Sequence, residues 1–102
     1  MMSKGVQQVL ESVQKGVKRI YLTNNEIDAE GTKLIAKSLE SNTSVTLLHL
    51  SSNAIGPDGS KAISQLLQFN STLSTLYIGE NEIGDEGVQV IAEALVLNST
   101  LT

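Results

Sequence analysis

The chain has 102 residues, of which 40% are hydrophobic, 18% charged and 3% aromatic, with a formal net charge of −4 and no cysteine. A single small domain is expected, and disulfide staples and thiol-based metal sites are excluded, as is the basic stripe interleaved with aromatic rings that would grip nucleic acid. No apolar run approaches the ~20 residues of a membrane span, and none of signal-peptide length follows Lys4.

Residues 1–16, MMSKGVQQVLESVQKG, carry Gly5, Val9 and Val13 at helical spacing, with Lys4, Gln7, Gln8, Glu11 and Gln14 for a solvated side. From Val17 onward one pattern recurs as IYLTNNEI, LHLSSNAI and LYIGENEI, closing on Asn25, Asn53 and Asn81 at intervals of 28. Aligned as rows 17–44, 45–72 and 73–100, the chain places apolar residues in columns: Val17/Val45/Leu73, Ile20/Leu48/Leu76, Leu22/Leu50/Ile78, Ile27/Ile55/Ile83, Leu34/Ala62/Val90, Ile35/Ile63/Ile91 and Leu39/Leu67/Leu95. These columns are the expected core. The step of two from Ile20 to Leu22 belongs to a strand, and the spacing Leu34, Ile35, Leu39 belongs to a helix. Each row is therefore a strand followed by a helix, and units of that size bury their apolar faces only against one another. Residues 1–16 match the helical half of a row and read as an N-terminal capping half repeat, while Leu101-Thr102 would begin a fourth strand. Three rows just offset chain entropy, so marginal stability is expected.

Boundaries follow from local chemistry. Asp28, Pro57 and Asp85 lie at the turn into each helix, where aspartate caps free N–H groups and proline suits the first turn. Glu30, Asp58 and Glu86 come next, at the positive end of the helix dipole. The helices are expected to stop near Asn42, Asn70 and Asn98 through the left-handed conformation that asparagine tolerates. Each of these begins an N-glycosylation pattern, read as helix-stop chemistry repeating with the row. Gly31, Gly59 and Gly87 cost about 1 kcal/mol against alanine inside a helix, which points to close approach of backbones.

These rows resemble leucine-rich repeats, and the continuation in LYIGENEIGDEGVQVIAEALVLNST is similar to the ribonuclease-inhibitor type. The resemblance spans Val17 to Thr102. It implies an α/β solenoid with a curved parallel sheet on the concave face, helices on the convex face and an asparagine ladder of Asn25, Asn53 and Asn81. A tight turn under the sheet buries backbone groups that a side-chain amide satisfies, and leaving them unpaired would cost about 1–3 kcal/mol each. Their expected role is structural. Repeats of this type also occur in activators of small GTPases, in NOD-like receptors and in bacterial effectors, and no residue here selects among those.

Enzymatic chemistry lacks parts: there is one histidine, no cysteine, no P-loop and no HExxH. No cofactor or metal is expected. What remains is protein recognition. By strand alternation, Arg19, Tyr21 and Thr23, then Leu47, His49 and Ser51, then Thr75, Tyr77 and Gly79 point away from the core. Tyr21, His49 and Tyr77 would form one column of rings, a side-chain type common at interfaces, although aromatics also pair across strands for stability alone. The expected function is a non-enzymatic, cytoplasmic module gripping a partner protein on the concave face through these residues. The alternatives are self-association through the C-terminal end and a fragment of a larger receptor or effector. Charge favours head-to-tail contact: Lys4, Lys15, Lys18 and Arg19 crowd the start, whereas the last row holds Glu80, Glu82, Asp85, Glu86 and Glu93 with no Lys or Arg.

Overall fold

The computed structural model of the chain describes residues 4–98. Helix α1 (Lys4–Lys15) is followed by three strand–helix pairs: β1 (Arg19–Tyr21) with α2 (Ala29–Leu39), β2 (Leu47–His49) with α3 (Gly56–Phe69), and β3 (Thr75–Tyr77) with α4 (Gly84–Leu97). The strands make one parallel sheet in the order β1-β2-β3. Ile20 pairs with Leu48 and Leu48 with Leu76, so the sheet register is the sequence repeat itself. Parallel neighbours require a crossover, and α2 and α3 are those crossovers. The ladder runs on past the strands, with Leu22 N donating to His49 O at 2.8 Å and Leu50 N to Tyr77 O at 2.7 Å.

The chain then turns through left-handed backbone at Asn24, Ser52 and Glu80, with φ of 58°, 60° and 56°. At the start of the helices, in the column of Asp28, the rows diverge. Asp28 stands in extended backbone and its carboxylate accepts from Gly31 N at 2.8 Å, the expected cap. Gly56 and Gly84 take the same position at φ 66° and 70°, a conformation glycine adopts freely. Helices α3 and α4 thus begin at glycine behind Ile55 and Ile83, without a side-chain cap. Asp85 accordingly lies inside the first turn of α4, where its charge meets the helix dipole rather than capping.

Strand and turn columns are buried as expected: Ile20, Leu22, Ile27, Val45, Leu48, Leu50, Ile55 and Leu73 are all at or below 2% exposure. Their last-row counterparts Leu76, Ile78 and Ile83 are only partly buried. Two helical expectations are corrected. Leu34 is 47% exposed, since neighbouring helical residues stand about 100° apart and Ile35 takes the core direction. The missing core column is Leu66 with Ala94, hidden in the first row by Ser38. Leu95 is 41% exposed where Leu39 and Leu67 are buried, and Val88 is 56% exposed where Thr32 and Ser60 are buried. Those positions face the next helix of the stack, and among the described residues none lies beyond α4.

The helical glycines admit close approach, but of side chains rather than backbones. A Cβ at Gly59 would stand 2.6 Å from Ile55 Cγ2, and one at Gly87 would stand 2.8 Å from both Ile83 Cβ and Ser60 Oγ. Helix α1 packs on α2 with Val6 and Val9 buried and Gln7, Gln8, Glu11 and Gln14 exposed. The expected fourth strand at Leu101-Thr102 lies outside the described residues.

Candidate functional site

Two asparagine ladders hold the strands. In the first, Asn53 Oδ1 accepts from Asn25 N at 2.8 Å and Ile27 N at 3.0 Å, while Nδ2 donates to Leu22 O, Leu50 O and Ser51 O. Asn81 repeats the arrangement one row on, accepting from Asn53 N and Ile55 N and donating to Leu50 O, Ile78 O and Gly79 O. Among the described residues, the Asn25 side chain makes one hydrogen bond, Nδ2 donating to Thr23 O at 3.0 Å.

The second ladder corrects the sequence reading of Asn42, Asn70 and Asn98. Asn70 and Asn98 adopt extended rather than left-handed backbone, with φ of −97° and −95°. Asn70 is 5% exposed; its Oδ1 accepts from Thr72 N and Leu73 N, and its Nδ2 donates to Leu39 O at 2.7 Å and Asn42 O at 3.1 Å. Asn98 reaches back likewise to Leu67 O. The first ladder thus clamps the turns leaving the strands, and the second clamps the turns entering them.

Between the clamps lies the open face of the sheet. Arg19, Tyr21 and Thr23 are exposed, as are Tyr77 and Gly79, while Leu47, His49, Ser51 and Thr75 are half-buried. The three rings stand in one column: Tyr21 and His49 centroids are 6.3 Å apart with planes tilted by 38°, and His49 stacks on Tyr77 at 4.5 Å and 24°. Thr23 Oγ1 lies 3.0 Å from His49 Nδ1 and orients that ring. Tyr21 remains 58% exposed and Tyr77 48%, so the column presents large apolar surface carrying polar tips.

Sequence reasoning missed two members of this face. Ser52 Oγ donates to Glu80 Oε2 at 3.0 Å, which ties the turn of the third repeat to that of the second. Both lie in the column of Asn24, 28 residues apart, and that spacing is the signal that would have found them. Ion pairs among the described residues all lie on the helix side: Lys33–Glu30, Lys37–Glu40, Lys61–Asp58 and Lys61–Glu86. Lys33 has its pKa raised above 10.5 by its hydrogen bond to Glu30 and then by the charge of that carboxylate. A groove of about 350 Å³ between α2 and α3 is floored by Leu34, Ala36 and Ala62, with Lys33, Lys37 and Glu40 at its edge. No cluster of histidine and acidic groups among the described residues has metal-binding geometry, and no helix among them is long and apolar enough to cross a membrane.

Residues 41–64 and 69–92 each match the family model described as Leucine Rich repeat. No curated protein matches the chain. A solved structure titled Leiomodin-1 Actin-Binding Site 2 (ABS2) is similar at 29% identity and a TM-score of 0.85, over 93% of this chain and 57% of that one. The tropomodulin C-terminal domain of Caenorhabditis elegans is similar at 12% identity and a TM-score of 0.82, over 95% of this chain and 60% of that one, a likeness of fold alone. The chain therefore spans under two thirds of the length of each of these structures.

Proposed function

We propose that this chain, whose α/β fold is of the leucine-rich repeat kind, is a non-enzymatic, cytoplasmic leucine-rich repeat module of the ribonuclease-inhibitor type that grips a partner protein on its concave strand face. The contacting residues are Arg19, Tyr21, Thr23, Leu47, His49, Ser51, Thr75 and Tyr77. The supporting observation is the column Tyr21–His49–Tyr77, its two tyrosines exposed, fixed on strands clamped at both ends. A rigid aromatic surface with polar tips loses little side-chain freedom on binding, and such residues carry much of the energy of known interfaces. Helix α1 serves as the cap of the first repeat.

The leiomodin-1 structure is titled for an actin-binding site, which makes actin the first partner to test. Actin co-sedimentation and capture from source-cell extract are compared for the parent chain and the Tyr21→Ala/Tyr77→Ala variant. Capture should be lost with the circular dichroism spectrum unchanged; capture retained by the variant removes the concave face from the proposal. A second reading, head-to-tail self-association, draws on the exposed Val88 and Leu95 of α4 and on the acidic third repeat opposite the basic Lys15, Lys18 and Arg19. Light scattering across protein and salt concentration tests it, and a strict monomer at high concentration rules it out.

A further inference from the structure

We propose that the occupant of the open strand face is an α-helix of the partner, laid across the three strands with basic side chains along the flank that faces the turns. This rests on the reading of that face as the binding surface and names the kind of partner it fits. Spacing carries the first half of the inference. The ring column steps by 6.3 and 4.5 Å, a mean of about 5.4 Å, which is the pitch of an α-helix. One helical turn therefore meets each ring, through side chains at i, i+4 and i+7. An extended occupant repeats its facing side chains every ~6.6 Å, and over two steps reaches ~13 Å where the rings span at most about 11 Å.

Charge carries the second half. Every ion pair among the described residues lies on the helix side of the molecule, and Glu26, Glu80 and Glu82, exposed along the turns, take part in none of them. Glu80 is held in place by the Ser52 hydroxyl at 3.0 Å. The third repeat has no lysine or arginine to neutralise its carboxylates. Across the column, at the strand starts of the first repeat, Lys18 and Arg19 are exposed. A helix with basic residues on its turn-facing flank and an acidic residue near Arg19 complements both sides and has one favoured direction.

Two display libraries are selected against the full chain: helices randomised on one face of a three-helix scaffold, and extended peptides held in a hairpin. The helical library should yield binders with apolar residues at i, i+4 and i+7 and Lys or Arg on one flank. Their affinity should fall at least tenfold on Tyr77→Ala and severalfold on Glu26→Gln/Glu80→Gln/Glu82→Gln, and should weaken with salt. Binders that need the tyrosines but are extended, or helices without a basic flank, would overturn the helix proposal while sparing the concave face. Binders from both libraries indifferent to Tyr21→Ala and Tyr77→Ala would sink the binding-face reading and this inference with it.

Discussion

Asn25, Asn53 and Asn81 share one sequence column, yet replacing each with alanine should have unequal effects. Asn53→Ala removes an acceptor serving Asn25 N and Ile27 N and a donor serving three carbonyls. The two N–H groups are left without a partner in a part-buried turn, where each such loss costs about 1–3 kcal/mol; the carbonyls, with a second lone pair, lose less. The total is roughly 3–4 kcal/mol, a large share of the 5–15 kcal/mol typical of a domain. Asn25→Ala loses a single exposed bond to Thr23 O, which water replaces at a cost of about 0.5–1 kcal/mol. With a urea slope of roughly 1–2 kcal/mol/M, the Asn53 variant should unfold about 2 M earlier than the Asn25 variant. Asn81→Ala should resemble Asn53→Ala, since it also loses two accepted and three donated bonds. Equal midpoints for Asn25→Ala and Asn53→Ala would refute the claim that bonds between repeats, rather than the turn's local preference, make the asparagines matter.

Gly59→Ala should lower the melting temperature by an amount equivalent to about 1–3 kcal/mol, because overpacking against Ile55 Cγ2 at 2.6 Å outweighs the propensity gain; a raised melting temperature would contradict this. Leu66→Ala, at a fully buried site, should cost about 2–5 kcal/mol in chemical denaturation, and Leu34→Ala, 47% exposed, under about 1 kcal/mol. Lys33 has a folded-state pKa raised above 10.5 by the Glu30 hydrogen bond and charge, so its contribution to stability is fully present below 10.5 and is lost as pH rises through the higher folded value. An NMR titration of Lys33 should show a midpoint above 10.5 that falls back in Glu30→Gln, and an unchanged midpoint would deny the pairing.

The strands were legible because period-two alternation fixes which face each side chain takes, and nothing downstream alters that at Ile20, Leu22 or Tyr21. Leu34 misled because residue type was read as direction: an apolar column marks a buried one only when it falls within the arc that the helix turns inward. Leu66 and Ala94 went unseen for the converse reason, with Ser38 masking their column. Asn42, Asn70 and Asn98 were misread because asparagine's local preference for left-handed backbone was the visible property. Its actual use, donation from Asn70 to Leu39 O, depends on a carbonyl 31 residues away that only the stacked fold brings near. The ring column was readable from spacing, whereas the Ser52–Glu80 bridge needed the turn geometry that places the two side chains within 3.0 Å.

A division of labour follows from where the amides are spent. Both ladders act in the turns at the two ends of each strand, and the core columns lie on the helix side, so little of the cohesion between repeats passes through side chains on the open face. Among the described residues, Thr23–His49, Ser52–Glu80 and the ring contacts are side-chain interactions that join neighbouring repeats there, and cross-strand pairs of this kind contribute only about 0.2–1 kcal/mol each. Arg19, Tyr21, His49, Thr75 and Tyr77 can accordingly be exchanged at small cost to folding, as a surface must allow if it is to acquire a particular partner while the frame beneath it stays fixed. The frame in turn gives those residues what recognition needs, positions set by backbone hydrogen bonds on either side rather than by a mobile loop.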